Sequence, residues 1–182
     1  MMAGRFIAFE GGEGAGKSTQ CAILADALRA CGHSVIVTRE PGGTPGAEAI
    51  RALLLANEGD GWNTRAEALL FAAARSDHVD RLIRPALAAG QWVICDRFLD
   101  SSRAYQGGGG GVSDDDLMEL HRIGSGGLLP DLAILIGVSP PVAAERLTRR
   151  DGGLADRIGG RDAAYHARVA QAFAALAEAE PH

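Results

Sequence analysis

The stretch Phe6–Ser18, F-I-A-F-E-G-G-E-G-A-G-K-S, constrains this chain more than any other. Phe6–Phe9 is an apolar run of strand length, and it breaks into Gly11, Gly12, Glu13, Gly14, Ala15, Gly16, Lys17 and Ser18. Glycine reaches backbone angles closed to other residues, so such a segment can curl and aim successive N–H groups at one anion. A helix beginning near Lys17 adds the positive end of its dipole. The spacing G-x-x-x-x-G-K-S is a phosphate cradle. Its lysine reaches the β- and γ-phosphates, and its serine hydroxyl reaches Mg²⁺. The strand before it and the amphipathic helix after it argue against a plain glycine-rich turn.

A net charge of −5 gives no whole-molecule field for a nucleic acid polymer, so any phosphate site has to be built locally. Lys17 is the only lysine in the sequence, and the other basic residues are arginines. A compact ammonium sits where a guanidinium would not fit alike. No apolar run approaches the ~20 residues that span a bilayer. The N-terminus enters the first strand almost at once, unlike a signal peptide, so the expected location is the cytoplasm. Cys21, Cys31 and Cys95 have no metal-type spacing and read as small buried hydrophobes in a reducing compartment. The histidines show no ligand pattern and read as surface or packing residues.

Strands and helices alternate along the chain. Strands are expected at Phe6–Glu10, Ser34–Thr38, Gln91–Asp96 and Leu132–Val138, the last one buried. Helices are expected at 17–30, 47–56, 64–78, 79–89, 101–106, 114–125, 140–149 and 163–180. Thr64 is the expected cap of the third, with Glu67 as its capping-box partner. Pro85 predicts a kink or break, and Ser113 a cap. The helix from Thr64 to His78 is apolar nearly all round, as in a central helix or a subunit interface. The pattern implies an α/β fold of three layers, α/β/α, around a central parallel sheet, in one domain with no repeat and no linker.

Beside the loop, Val93–Asp96 is an apolar strand ending in an acid, the position from which P-loop folds hold Mg²⁺. Glu10 ends its own strand and points toward the crevice where ligands sit. Arg39, Arg75 and Arg97 lie at strand ends or on a helix that can pack over that crevice. Guanidiniums converging there would bind a second phosphate. Phe71 and Arg75 are four apart and share a helix face. On the residues alone, core packing is the simpler reading of Phe71.

These segments resemble the thymidylate kinase family. The resemblance rests on F-E-G-G-E-G-A-G-K-S-T-Q at Phe9–Gln20, T-R-E-P-G-G-T at Thr38–Thr44 and L-L-F-A-A-A-R at Leu69–Arg75. It continues with P-A-L-A-A-G at Pro85–Gly90, D-R-F-L-D-S-S-R-A-Y-Q-G-G at Asp96–Gly108, P-D-L at Pro130–Leu132 and D-R-I at Asp156–Ile158. They fall in family order over nearly the whole chain.

The resemblance implies a P-loop nucleotide kinase fold, a homodimer, and ATP-dependent phosphorylation of dTMP to dTDP with Mg²⁺. It assigns Gly11 to Ser18 and Thr19 to ATP, Ser18 and Asp96 to the metal, and Lys17 and Glu10 to catalysis. Arg39 and Arg97 would hold the dTMP phosphate. Phe71 would stack on thymine and Arg75 would bond its carbonyl edge. Ser102, Tyr105 and Gln106 would face the nucleoside.

The loop carries no arginine of its own, so the last catalytic charge is expected from a glycine-rich lid at about 149–161. That segment holds Arg149, Arg150, Arg157 and Arg161, with Arg150 or Arg157 as the acting residue. Phe98, Gly110 and Gly159 depart from residues common in the family. The sequence as given stops at Pro181-His182, before the family's further strand, adenine-contacting loop and terminal helix, so either it is incomplete or the nucleotide base is held more loosely; the sheet is expected to lack a strand here and the adenine contacts are unassigned. The competing expectations are a kinase of another nucleoside monophosphate, such as dUMP, a nucleotide-dependent switch or binding module without transferase activity, and a degraded, inactive kinase. No N-K-x-D guanine-reading run is present.

Overall fold

The computed structural model describes residues 4–56, 61–151 and 156–180. Four parallel strands form one sheet in the order β2-β3-β1-β4: β1 Phe6–Glu10, β2 Val35–Arg39, β3 Trp92–Asp96 and β4 Leu132–Leu135. Side chains alternate across a strand, and the core divides accordingly. Phe6, Ala8, Val93 and Cys95 point to one face, where they meet Val79, Ile83, Phe98 and Leu99. Ile7, Phe9 and Ile94 point to the other, where they meet Cys21 and Ala25 of α1 (Lys17–Ala30). A third cluster lies off the sheet, where Tyr165, Val169 and Phe173 of α8 (Ala163–Ala179) pack on Ala104, Tyr105 and Ile158.

The remaining helices are α2 (Pro45–Leu55), α3 (Thr64–His78), α4 (Arg84–Ala88), α5 (Leu99–Ser102), α6 (Asp114–Ser125) and α7 (Pro140–Asp151). The three-layer α/β/α reading and most boundaries hold, and four details differ. Asn63 caps α3, its Oδ1 accepting from Ala66 N–H at 3.0 Å, and Glu67 is buried for another purpose. The break expected at Pro85 is a π-helical turn, Val79–Ile83, joining α3 to α4. A wider turn absorbs the hydrogen bond that proline cannot make. The chain stays helical past Gln106, through a second π turn at Arg103–Gly109. Finally, Leu132 and Leu135 of β4 are exposed, because β4 is an edge strand among the described residues. Ser113 caps α6 as expected. Cys21 and Cys95 are buried, and burial pushes the Cys21 thiol up to about 12, which makes it a packing residue. Cys31 is exposed.

Candidate active site

The carboxyl ends of β1, β2 and β3 lie side by side, with Phe9 opposite Asp96 and Arg39 opposite Asp96 in register. A cleft of about 1130 Å³ opens above them. Parallel sheets bind ligands at this edge.

One end of the cleft is backbone. Gly11 sits at φ 134°, and a Cβ there would lie 2.2 Å from the Ile136 carbonyl oxygen, so only glycine allows the strand to turn. Thr44, Asn63, Ser113 and Asp162 cap α2, α3, α6 and α8, whereas no described side chain caps α1. Its first N–H groups are left for an anion. Glu13 to Thr19 line the cleft. Lys17 is buried and Nζ donates to Gly12 O at 2.8 Å. Burial first, and Arg97 second, lower its pKa to about 8. The Ser18 hydroxyl donates to Asp96 Oδ2.

The other end is built from side chains. Arg75 is buried. Nε donates to Glu40 Oε2 at 2.8 Å, and Nη2 donates to Ser102 Oγ at 2.8 Å and Phe98 O at 3.0 Å. His78 Nδ1 donates to Glu40 Oε1 at 3.0 Å, and its Nε2 pairs with the Thr38 hydroxyl at 2.7 Å. Gln106 Nε2 donates to Glu67 Oε1 at 2.9 Å. Phe71 lines the cleft against the Tyr105–Ile158 cluster.

Arg97 joins the two ends. It has φ 74°, a left-handed turn that costs a non-glycine residue about 1–3 kcal/mol. That turn folds its guanidinium back over the Tyr105 ring at 4.9 Å. It donates to Gly11 O at 2.9 Å, Glu13 Oε1 at 2.6 Å, Tyr105 Oη at 3.1 Å and Ser101 Oγ at 3.1 Å.

Arg39, Phe71, Arg75, Arg97, Ser102, Tyr105 and Gln106 all line this cleft with Lys17, Ser18 and Asp96. Arg39 reaches it while paired with Glu48 at 2.9 Å. Glu10 is the departure. Its carboxylate accepts from Phe98 N–H at 2.8 Å and from Ser101 at 2.6 Å, and it lines a separate cavity of about 40 Å³ instead of the cleft. Burial, then Asp100, raises its pKa to about 7. Arg157 lies beside Gly61 and is not among the cleft-lining residues. The side chain of Arg150 lies outside the described residues. Arg146 and Arg149 of α7 do line the cleft, and Arg146 Nη1 donates to Gly14 O at 3.3 Å and Ala15 O at 3.2 Å. Sequence reasoning missed Arg146, which stands in an ordinary amphipathic helix with nothing local to mark it. It also missed Arg51, which lines the cleft and donates to Pro41 O at 2.7 Å.

An uncapped helix behind a glycine loop, opposite a nest of side chains, defines a P-loop protein with room for a second ligand. The family model described as thymidylate kinase matches residues 9–182. A curated thymidylate kinase of Rhizorhabdus wittichii is 58% identical over 99% of this chain and 86% of its own length. One from Bradyrhizobium sp. is 50% identical over 98% and 79%. The crystal structure of thymidylate kinase from Ehrlichia chaffeensis superposes with a TM-score of 0.80 at 33% identity, covering 99% of this chain and 84% of that one. The chain belongs to the thymidylate kinase family.

Proposed function

We propose that this chain transfers the γ-phosphoryl group of ATP to the phosphate of dTMP, giving ADP and dTDP. The observation that carries the reading is one continuous cleft with an uncapped P-loop helix at one end and Phe71, Arg75 and Gln106 at the other. ATP lies on Gly11 to Thr19, with Lys17 at the transferring phosphates. Arg39 and Arg97 hold the acceptor phosphate, and Arg51 adds a third guanidinium there. Phe71 stacks on the base, Arg75 bonds its carbonyl edge, and Ser102, Tyr105 and Gln106 frame the nucleoside.

Phosphoryl transfer asks mostly for positioning and for charge placed in advance. Arg97 serves both ends: it binds the acceptor while its bond to Glu13 ties that site to the loop. Glu10 holds the turn from Phe98 to Ser101 from behind. The last positive charge is assigned to the lid at 149–161, with Arg150 or Arg157 as first candidates. Arg146 and Arg149 join them on the strength of their places at the cleft.

The Ser18 hydroxyl and the Asp96 carboxylate are adjacent hard oxygen donors, a set that fits Mg²⁺ with waters and phosphates completing its shell. When bound, the ion neutralises charge on the phosphate oxygens. The chain is further read as one domain acting in the cytoplasm; no helix among the described residues is long and apolar enough to cross a membrane. It is read as a homodimer formed through α3 and α6, which pack together and expose Leu69 and Ile123. Light scattering at micromolar concentration showing only monomer would overturn the dimer.

A coupled assay of ADP release with ATP and dTMP, dUMP, dCMP or AMP tests the activity. Turnover should require an acceptor and favour dTMP. No ADP on adding dTMP would overturn the reading.

A further inference from the structure

Gln106 and Glu67 are each 1% exposed and face one another. A carboxylate has only acceptors. The Gln106 nitrogen must therefore be the atom that meets Glu67 Oε1, and chemistry fixes which way the amide points. Glu67 is itself clamped, since its Oε2 accepts from Arg161, whose guanidinium lies 4.5 Å over the Tyr165 ring. The Gln106 carbonyl oxygen takes no hydrogen bond from the described residues, although the side chain lines the cleft. Arg75 is the counterpart. Its Nε and Nη2 are committed to Glu40, Ser102 and Phe98, and its Nη1 donates to none of the described residues. Arg75 Nη2 donates to Ser102, which stands four residues before Gln106 on one helical run, and Arg75 and Gln106 both line the cleft.

We propose that Glu67, clamped by Arg161, is a positioning residue: it fixes the Gln106 amide with its carbonyl oxygen toward the acceptor base, and so sustains the discrimination of thymine from cytosine that the base-facing Arg75 and Gln106 make. This rests on the kinase reading above. A thymine or uracil edge offers a donor beside an acceptor, which matches an amide oxygen beside a guanidinium N–H. Cytosine offers the reverse at both atoms. A site built to hydrogen-bond a group rejects a ligand lacking it far better than an apolar pocket rejects a missing methyl.

Glu67→Gln inverts the arrangement. Arg161 has donors only, so it takes the new amide oxygen and leaves the introduced NH₂ toward Gln106. Gln106 must then turn its own oxygen to that NH₂ and present its nitrogen to the cleft. The measurement is kcat and KM for dTMP and dCMP at saturating ATP. Glu67→Gln should lower the dTMP:dCMP ratio of kcat/KM by at least about tenfold, chiefly through acceptor KM, with the KM for ATP unchanged. Glu67→Asp keeps the acceptor chemistry and should keep the preference even where stability falls. A merely structural glutamate would lower both acceptors together and leave the ratio within about twofold, which would overturn the proposal.

The wild-type protein supplies an arm that needs no variant to fold. It should reject 3-methyl-dTMP, in which the N3 hydrogen is replaced, as substrate and as competitor of dTMP. Equal competition by 3-methyl-dTMP and dTMP would also overturn it. Wild-type protein with no dTMP-dependent turnover would instead overturn the functional reading on which it rests.

Discussion

The two ends of the cleft solve similar problems by different means. The P-loop end binds with main chain: a glycine turn at Gly11, the free N–H groups of α1 and one ammonium. Its parts are consecutive in sequence. The acceptor end, on the proposed function, would bind with side chains from β2, α3 and the helical run after β3. Two of them are held by buried carboxylates, Glu40 behind Arg75 and Glu67 behind Gln106. A main-chain cradle needs no support because covalent geometry and the helix orient it. A side-chain site does need support, because a buried guanidinium must be neutralised, a buried amide must be hydrogen-bonded, and both must be aimed.

The sharpest way to break this contrast is at Lys17. Lys17→Met should lower kcat by about 10²–10³-fold while costing little stability. The folded protein depresses this lysine from 10.5 to about 8. Between those values the folded state holds fewer protons than the unfolded state, so ligand-free stability rises with pH through that window, and the cost of burying the charge is full below it. Urea midpoints at pH values on either side of the window should rise for wild type and stay flat for Lys17→Met. A large loss of stability in the variant would give Lys17 the structural role found only at the acceptor end.

Arg75→Met probes the opposite end. It leaves Glu40 charged, buried and short of a partner, which costs about 3–5 kcal/mol of stability by denaturant unfolding. The KM for dTMP should rise and that for ATP should not. His78→Ala should be milder, about 1–3 kcal/mol, because it unpairs one oxygen of Glu40 and the Thr38 hydroxyl while Arg75 stays. If His78→Ala leaves both stability and the KM for dTMP unchanged, the Thr38–His78–Glu40 chain supports nothing.

A further test lies at Glu10, which belongs to the seam between the ends. Its pKa is raised from 4.5 to about 7, chiefly by burial. The folded state therefore holds more protons than the unfolded state between those values, and wild-type stability declines as pH climbs through them. Glu10→Gln should remove that decline, so that the variant gains on wild type toward neutral pH. A parallel pH dependence of the two proteins would mean that Glu10 is not the group that titrates there.

The P-loop end is legible in the sequence because its physics is local. Gly11 to Ser18 show their purpose in order, and the strand and helix around them follow from apolar spacing. Arg39, Arg75 and Arg97 are legible as arginines near strand ends, and Phe71 only through resemblance to a family. Glu67 reads as a capping partner because it stands three residues after Thr64, and that reading fails. Asn63 takes the cap, and Glu67 faces inward toward Gln106 and Arg161, far along the chain. His78, Arg51 and Arg146 carry no local mark. They matter through partners that the fold brings near, Glu40, Pro41 and the P-loop carbonyls.

By itself, then, the sequence determined the α/β alternation, the cradle and its single lysine, since each is written in spacing and residue type over a few consecutive positions. Only the tertiary structure decided which carboxylate stands behind which polar head. It set Arg97 turned back across the cleft, Glu10 turned away from it, and one oxygen of Gln106 left open. Those arrangements are contacts between residues distant in sequence, and their energies come from burial and pairing that no local pattern encodes.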